Sequence, residues 1–406
     1  MFTRRRFLVL FPAFAAATQS FASLPTPFKR KKVVPPRPVF VYFGTDTTKG
    51  VSKGIYQSTF NSTTGQLTVP VLIAPTARPS FLALSPERPG QKRFLYAVNA
   101  VNDPAATVTA FSMDPASGAI DQLGQVPSGG AGPAYISVDA TGHAAFVANY
   151  FGSSVASYRI QPDGKLSQPV TTIDFKDKQK FGSRGPNAVR QDIPHPHCAT
   201  VSPDDRFLLV CDLGSDAISV FAIDSETGHL TTTDPHLFEV RRGSGPRHVV
   251  FHPNGRWIYG INELDSTIDL FLWTQTSSLT NPQGLVVNTN FHIKTIADDF
   301  PVDKNTAAEV AVSPDGNFLY ASNRGEDTLV VFSIRPKKGD LQLVQRISCG
   351  GKGPRQFTLD PTAQWLVCGN QDSASVTVFR RDAATGKLTG PIQTAPVDSP
   401  LFTLFA

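Results

Sequence analysis

Short apolar runs, cut by polar turns built on Pro, Asp, Asn and Gly, follow one another from residue 39 to the C-terminus. The stretch HPHCATVSPDDRFLLVCDLGSDAISVFAIDSETGHL, residues 195–230, gives the pattern in full. An apolar run from Cys198 to Val201 is followed by a turn at Ser202 to Asp205. A second run spans Phe207 to Val210, a third, alternating run spans Ala217 to Ile223, and Thr227 and Gly228 form a closing turn. Branched and aromatic side chains pack well on a pleated surface, and the separating residues tolerate turn dihedrals, so the pattern predicts strands of an antiparallel meander. No segment has helical period.

The unit repeats. Aligned on its opening Pro or the equivalent residue, it reads RPSFLALSP from Arg78, GPAYISVDA from Gly132, HPHCATVSP from His195, GPRHVVFHP from Gly245, TAAEVAVSP from Thr306 and GPRQFTLDP from Gly353. Each copy runs into a second strand that ends at Asn or Asp, then into a third such as TVTAFSM or TLVVFSI. Recurrence at this period is the mark of a repeat architecture. Residues 39–69 lack a first strand, and SPLFTLFA from Ser399 is a first strand without the rest. A ring explains both halves. The pattern predicts an all-β, seven-bladed β-propeller of about 46–63 residues per blade, closed by a blade shared between the N- and C-terminal strands, which leaves no open edge.

Composition divides the chain into three parts. Residues 1–22 carry Arg4, Arg5 and Arg6, an apolar stretch to Ala17, and Ser20, Phe21 and Ala22 as a small-x-small cleavage site. They predict an export signal of twin-arginine type, too short for a permanent span, and so a periplasmic or extracellular protein. Residues 23–38 are a Pro-rich basic linker, and residues 39–406 are the propeller. The three arginines of the signal and the five Lys or Arg of the linker exceed the net charge of +5, which leaves the propeller at about −3. That balance excludes a nucleic-acid-binding face. A monomer without a membrane span is expected. Cys198, Cys211, Cys349 and Cys368 lack CxxC spacing and read mainly as buried small side chains; Cys198 and Cys211 are placed so that they could be cross-strand neighbours, with a disulfide as the alternative.

In a propeller blade the start of the first strand and the end of the second lie at the same channel mouth. The first set is Ser80, Ala134, His197, Arg247, Ala308, Arg355 and Leu401; the second is Ala100, Tyr150, Leu213, Glu263, Arg324 and Gln371. Charge gathers on one side. His197, Arg247, Glu263, Arg324, Arg355 and Gln371 all come from blades 4 to 7 when the shared blade is counted first. Several Arg at one mouth repel one another and lose hydration, whereas guanidinium is well suited to bidentate capture of phosphate or carboxylate. The composition therefore predicts a small-molecule anion pocket. His195 and Asn149 complete the substrate-binding candidates. His195 and His197, two apart on a strand, also offer a metal pair, but no third ligand stands out and neither metal nor cofactor is expected. The Asn and Asp at second-strand ends read mainly as turn formers, and His248 and His252 as capping or packing residues of blade 5. The connection from Asp174 to Ile193, with Lys176, Arg184 and Arg190, is long enough to be either a solvated loop or a lid.

Four phrases carry a resemblance: HPHCATVSPDDRFLLVCDLGSD, GPRHVVFHPNGRWIYGINELDST, SPDGNFLYASNRGEDTLVVF, and GPRQFTLDP with GNQDSASVTVFRRD. VYFGT with GIY, and GPAYISVDA with VANYFGSSV, extend it over about residues 39–406. The chain resembles the seven-bladed propeller lactonases, the family of the propeller-type 6-phosphogluconolactonase and of the carboxy-muconate cyclase. Ala100 stands where the family usually has an acid. The resemblance implies hydrolysis of a sugar lactone, with catalytic roles on His197, Arg247 and Glu263 and substrate contacts on Arg324 and Gln371. The chemistry expected is addition of water to the lactone carbonyl. Glu263 or His197 would act as base, Arg247 would face the oxyanion, and Arg324 and Arg355 would hold the anionic group. No G-x-S-x-G elbow is present, so no acyl-enzyme is expected. A muconate-type lactonising isomerase and a non-catalytic extracytoplasmic binding propeller are the competing functions.

Overall fold

Seven antiparallel sheets form in the computed structural model, which describes residues 38–88, 90–276 and 282–406. Residues 1–22, expected to be an export signal, and the expected linker up to residue 37 lie outside the described residues. Blade 1 joins the chain ends: Pro400–Phe405 pairs with Val39–Thr45, which pairs with Gly54–Asn61. Its outer edge is split between Gln66–Leu67 and Val71–Pro75. Blades 2 to 7 are four-stranded. Their inner strands are Pro79–Leu84, Pro133–Val138, Pro196–Val201, Pro246–Phe251, Thr306–Val312 and Pro354–Leu359. Each inner strand touches the next, and Pro400–Phe405 touches both Pro354–Leu359 and Pro79–Leu84, so the ring is closed.

The core is distributed. Buried apolar side chains form seven clusters, each between two neighbouring blades. The second strands lie between such clusters, which is why Ala144–Asn149, Phe207–Asp212, Trp257–Asn262 and Trp365–Asn370 are buried along their whole length. This burial on both faces makes them read as unbroken apolar runs rather than alternating ones.

Polar bonds join the blades as well. Second-strand tyrosines donate to a glycine carbonyl in an outer turn of the following blade: Tyr42 to Gly118 at 2.6 Å, Tyr96 to Gly164 at 3.0 Å, Tyr259 to Gly339 at 2.8 Å and Tyr320 to Gly386 at 2.8 Å. Trp365 Nε1 donates to Ser62 O at 2.8 Å across the closing junction.

One α-helix, Lys178–Phe181, interrupts the β pattern among the described residues. It spans a single turn in the long connection to blade 4, too short for periodicity to reveal. The cysteines are buried free thiols, with Cys198 and Cys211 directly paired in register.

Candidate active site

A register irregularity recurs at the start of each inner strand. Pro79 pairs with Asn99 and Phe81 with Val98, so Ser80 has no partner of its own. Ala134, His197, Arg247, Arg355 and Leu401 occupy the same extra position in blades 3, 4, 5, 7 and 1, and in blade 6 the irregularity spans Ala308 and Glu309. A β-bulge re-aims a side chain that regular pairing would hold over the sheet. Thus one bulge per blade supplies the inner ring of the channel mouth.

A cavity of about 490 Å³ lies at this mouth. Ser80, Ala134, His197, Arg355 and Leu401 reach it from the bulges, and Ala100, Tyr150, Glu263 and Arg324 from the ends of second strands. His195 also lines it. Both ring nitrogens of His195 are engaged, Nδ1 with Tyr150 O and Nε2 with Asp192 Oδ1, each at 2.9 Å, and the ring stacks on Tyr150 at 4.1 Å. Both nitrogens are thus directed at oxygens of Tyr150 and Asp192 and not towards His197.

Glu263 is the charged centre. It is buried, with Oε2 3.1 Å from Arg247 Nε and 2.9 Å from Arg324 Nη2, while Oε1 takes a close ion pair from Arg190. Burial by itself would raise its pKa, but Arg324, Arg247 and Arg190 reverse that and hold the carboxyl well below the usual range. Arg247 lies behind Glu263 rather than on the cavity wall. Its guanidinium is occupied by Glu263 and by Ala308 O, and burial with Arg324 nearby lowers its pKa to about 10.

Arg355 differs from its neighbours. It lines the cavity and has neither a hydrogen bond nor an ion pair among the described residues. Burial, then Arg247 and Arg324, lower its pKa to about 9, the sign of a guanidinium in need of an anion. His197 is likewise unengaged. Its Nδ1 is buried without a partner among the described residues, and burial together with Arg247 pushes its pKa well below 6.5, so the imidazole is neutral at pH 7.

Two of the sequence candidates sit elsewhere. Asn149 is buried with Nδ2 bonded to Ser128 O and Ser154 Oγ, which braces its turn, and it is absent from the cavity wall. Gln371 opens a 3₁₀ turn, with its backbone N bonded to Gly353 O, and is absent from the cavity wall. The other second-strand ends agree with Asn149: Asn99, Asn262, Asn323 and Asn370 each bond to a nearby Thr. His252 is bonded to Gly316 O and Asn254 N, as its capping role requires. His248 does not stay within blade 5: its ring meets Phe81 of blade 2, Tyr135 of blade 3 and His197 of blade 4.

Arg78 and Arg190 are wall residues that the repeat comparison passed over. Arg78 precedes the opening Pro of blade 2, where three other blades have Gly, and adopts φ +38° while pairing with Asp46. An Arg at a glycine position was the available signal. Arg190 comes from the long 174–193 connection. That segment is pinned: Gln191 Nε2 donates to Leu213 O and Asp216 Oδ1, and Arg242 donates to Ser183 O and Arg184 O. These bonds tie it to blade 4 and it presents Arg190 to the cavity, while most of its residues from 176 to 192 are exposed.

The profile of the family described as "Lactonase, 7-bladed beta-propeller" matches residues 40–405. A 6-phosphogluconolactonase of Formosa agariphila is 33% identical over 354 residues, covering 86% of this chain and 94% of the relative. The 6-phosphogluconolactonase of Bacillus subtilis is 31% identical over 364 residues, 90% and 97% of the two chains. Among solved structures, a periplasmic gluconolactonase of Pseudomonas aeruginosa superposes with a TM-score of 0.78 at 30% identity, covering 91% of this chain and 99% of that one.

Proposed function

The chain belongs to the seven-bladed β-propeller lactonase family, and on that premise we propose that it opens a sugar lactone bearing an anionic group, with 6-phosphogluconolactone as the type substrate. It is a lactonase; the substrate and the roles of individual residues are the proposal. The observation that carries it is Arg355, a cavity guanidinium with no partner among the described residues, beside Arg324. Leaving such a charge uncompensated in a partly dry site is costly unless a ligand supplies the anion.

The chemistry follows from what each group has left to offer. Glu263 is a poor base, because three guanidiniums stabilise its ionised form. His197 is neutral, faces the cavity and keeps a nitrogen lone pair that no guanidinium takes up, so it is the group left to accept the proton, although burial and Arg247 weaken it as a base too. Water adds to the lactone carbonyl carbon as His197 takes its proton. Arg324 and Arg355 stabilise the oxyanion and the anionic substituent. Collapse of the tetrahedral intermediate breaks the ring C–O bond, and the departing oxygen takes the proton back from His197 to give the hydroxy acid. Arg247 serves at one remove, holding Glu263 and through it Arg324.

The test is steady-state hydrolysis of 6-phosphogluconolactone and of unphosphorylated gluconolactone, corrected for spontaneous opening. Losing a charged hydrogen bond of about 1.5–3 kcal/mol should raise the KM of Arg355→Ala for the phosphorylated lactone about 10- to 100-fold, with a much smaller change for the neutral one. Equal loss on both substrates, or none on either, would remove Arg355 as the reader of the anion. A second reading has two observations in its favour: the signal-like residues 1–22 support export, as does the periplasmic relative's location, and an exported enzyme would meet unphosphorylated gluconolactone. A wild-type kcat/KM higher for that substrate would decide for it.

A further inference from the structure

Charge at the channel mouth is not confined to the surroundings of Glu263. Three neighbouring blades form another part of the wall: Arg355 comes from blade 7, Leu401 from blade 1 and Arg78 from blade 2. Two guanidiniums therefore flank one apolar side chain. His197 of blade 4 lies across the mouth from them, since blade 4 is three blades from blade 1 one way round the ring and four the other.

Arg78 is held from behind. Its backbone N donates to Thr47 Oγ1 at 2.9 Å, its Nη1 donates to Ala100 O at 3.1 Å, and its Nε lies 3.4 Å from Asp46 Oδ1. Asp46 is buried off the cavity wall and is itself engaged, because Oδ1 accepts from Thr48 N at 3.0 Å and from Thr48 Oγ1 at 2.6 Å. The ion pair is loose: among the described residues Arg78 Nε has no hydrogen-bond partner, and Nη2 makes no bond. The backbone points the same way. Gly132, Gly245 and Gly353 hold this position in blades 3, 5 and 7 at φ +57°, +63° and +65°, whereas Arg78 keeps a Cβ at φ +38°. Such strain is characteristic of functional sites. At the end of the second strand Ala100 stands where blade 5 has Glu263, so blade 2 adds no acid to the wall. Arg355 has no partner among the described residues, and Arg78 is one of the charges that lower its pKa.

We propose that Arg78 is a specificity-determining residue, which forms with Arg355 a cradle beside Leu401 for the phosphate of a phosphorylated sugar lactone, while the lactone carbonyl faces His197. The inference rests on the reading of Arg355 given above and goes further by naming the group. A planar carboxylate is filled by one bidentate guanidinium. A phosphate monoester offers three outer oxygens and close to two charges, and can be met from two sides at once. Two arginines from different blades suit the phosphate.

The experiment is calorimetric titration of the whole chain with three stable acids: 6-phosphogluconate, glucarate, which has a carboxylate at C6, and gluconate, which has no charge there. The wild type should bind 6-phosphogluconate about tenfold or more tighter than glucarate. Arg78→Gly suits the φ of its position, and a thermal melt shows whether it is folded. It should lower affinity for 6-phosphogluconate relative to gluconate about 10- to 100-fold, as loss of a charged hydrogen bond does. Ala100→Glu, which sets a carboxylate beside Arg78, should move the same ratio in the same direction. A merely structural role would weaken all three acids alike. The proposal is overturned if glucarate binds as tightly as 6-phosphogluconate, or if folded Arg78→Gly keeps the wild-type ratio. Should Arg78→Gly fail to fold, Ala100→Glu and the glucarate comparison decide. A ratio lost in Arg355→Ala but kept in Arg78→Gly removes this inference and leaves the reading of Arg355 standing. A wild type that binds 6-phosphogluconate no tighter than gluconate removes both.

Discussion

Glu263 illustrates what residue-level reading delivers and where it stops. Its place at a second-strand end was legible because the repeats align, and the same holds for His197, Arg324 and Arg355. Its chemistry was not. A carboxylate among candidate catalytic groups reads equally as base or as counter-charge, and only the distances to Arg247, Arg324 and Arg190 decide for the second. A stability prediction follows. The folded pKa is depressed, so the unfolded chain binds the proton more readily, and the stabilisation is complete above the ordinary carboxylate range and fades as pH falls through the folded value. Glu263→Gln should cost about 3–5 kcal/mol at pH 7, the penalty for stranding buried charge. The gap in Tm from wild type should narrow as melts are taken from pH 7 towards pH 3. A gap independent of pH would mean that the ionised carboxylate is not what is lost.

At the scale of elements, the bulge and the long connection do the positioning. The opening Pro and the residue after it were readable as a phrase, but the irregular register that turns Arg355 or His197 into the channel depends on pairing with another strand. The connection of residues 174–193 was visible as an excess of length, while its fixed course depends on contacts with blade 4. Gly214 is one of them. A Cβ there would meet Ile193 O at 2.0 Å, and its own carbonyl accepts from Gly185 N at 2.8 Å. Gly214→Ala should therefore push the segment away and carry Arg190 and His195 with it. The expected result is a KM raised about 10-fold or more and a stability loss of about 1–3 kcal/mol from overpacking. Lactone kinetics beside a thermal melt check both. Unchanged KM with lowered Tm would separate this segment from substrate binding.

For the whole molecule, stability depends on closure. Phe402 packs into the cluster between blades 1 and 2, and Phe405 into that between blades 7 and 1. Deleting residues 398–406 removes both and leaves Val39–Thr45 as an open edge. That variant should lose its cooperative transition and aggregate, as gel filtration and circular dichroism melts would report. Cooperative unfolding of the deletion variant at the wild-type Tm would show that blade 1 does not hold the ring.

The sequence by itself determined the number of blades, the shared closing blade and the ring of positions that converge, because a repeated unit with one buried face can satisfy its pattern only by stacking on copies of itself. It also placed Glu263, His197, Arg324 and Arg355 at one mouth. The tertiary structure alone decided which of these charges are spent on one another and which remain free for a ligand. It also brought Arg190 and Arg78 to the cavity wall, and it left Asn149 and Gln371 off it. The reason is physical: period and turn chemistry are local and repeat with the chain, whereas pairing of charges, aim of a bulge and burial of a ring nitrogen depend on side chains from blades far apart in sequence.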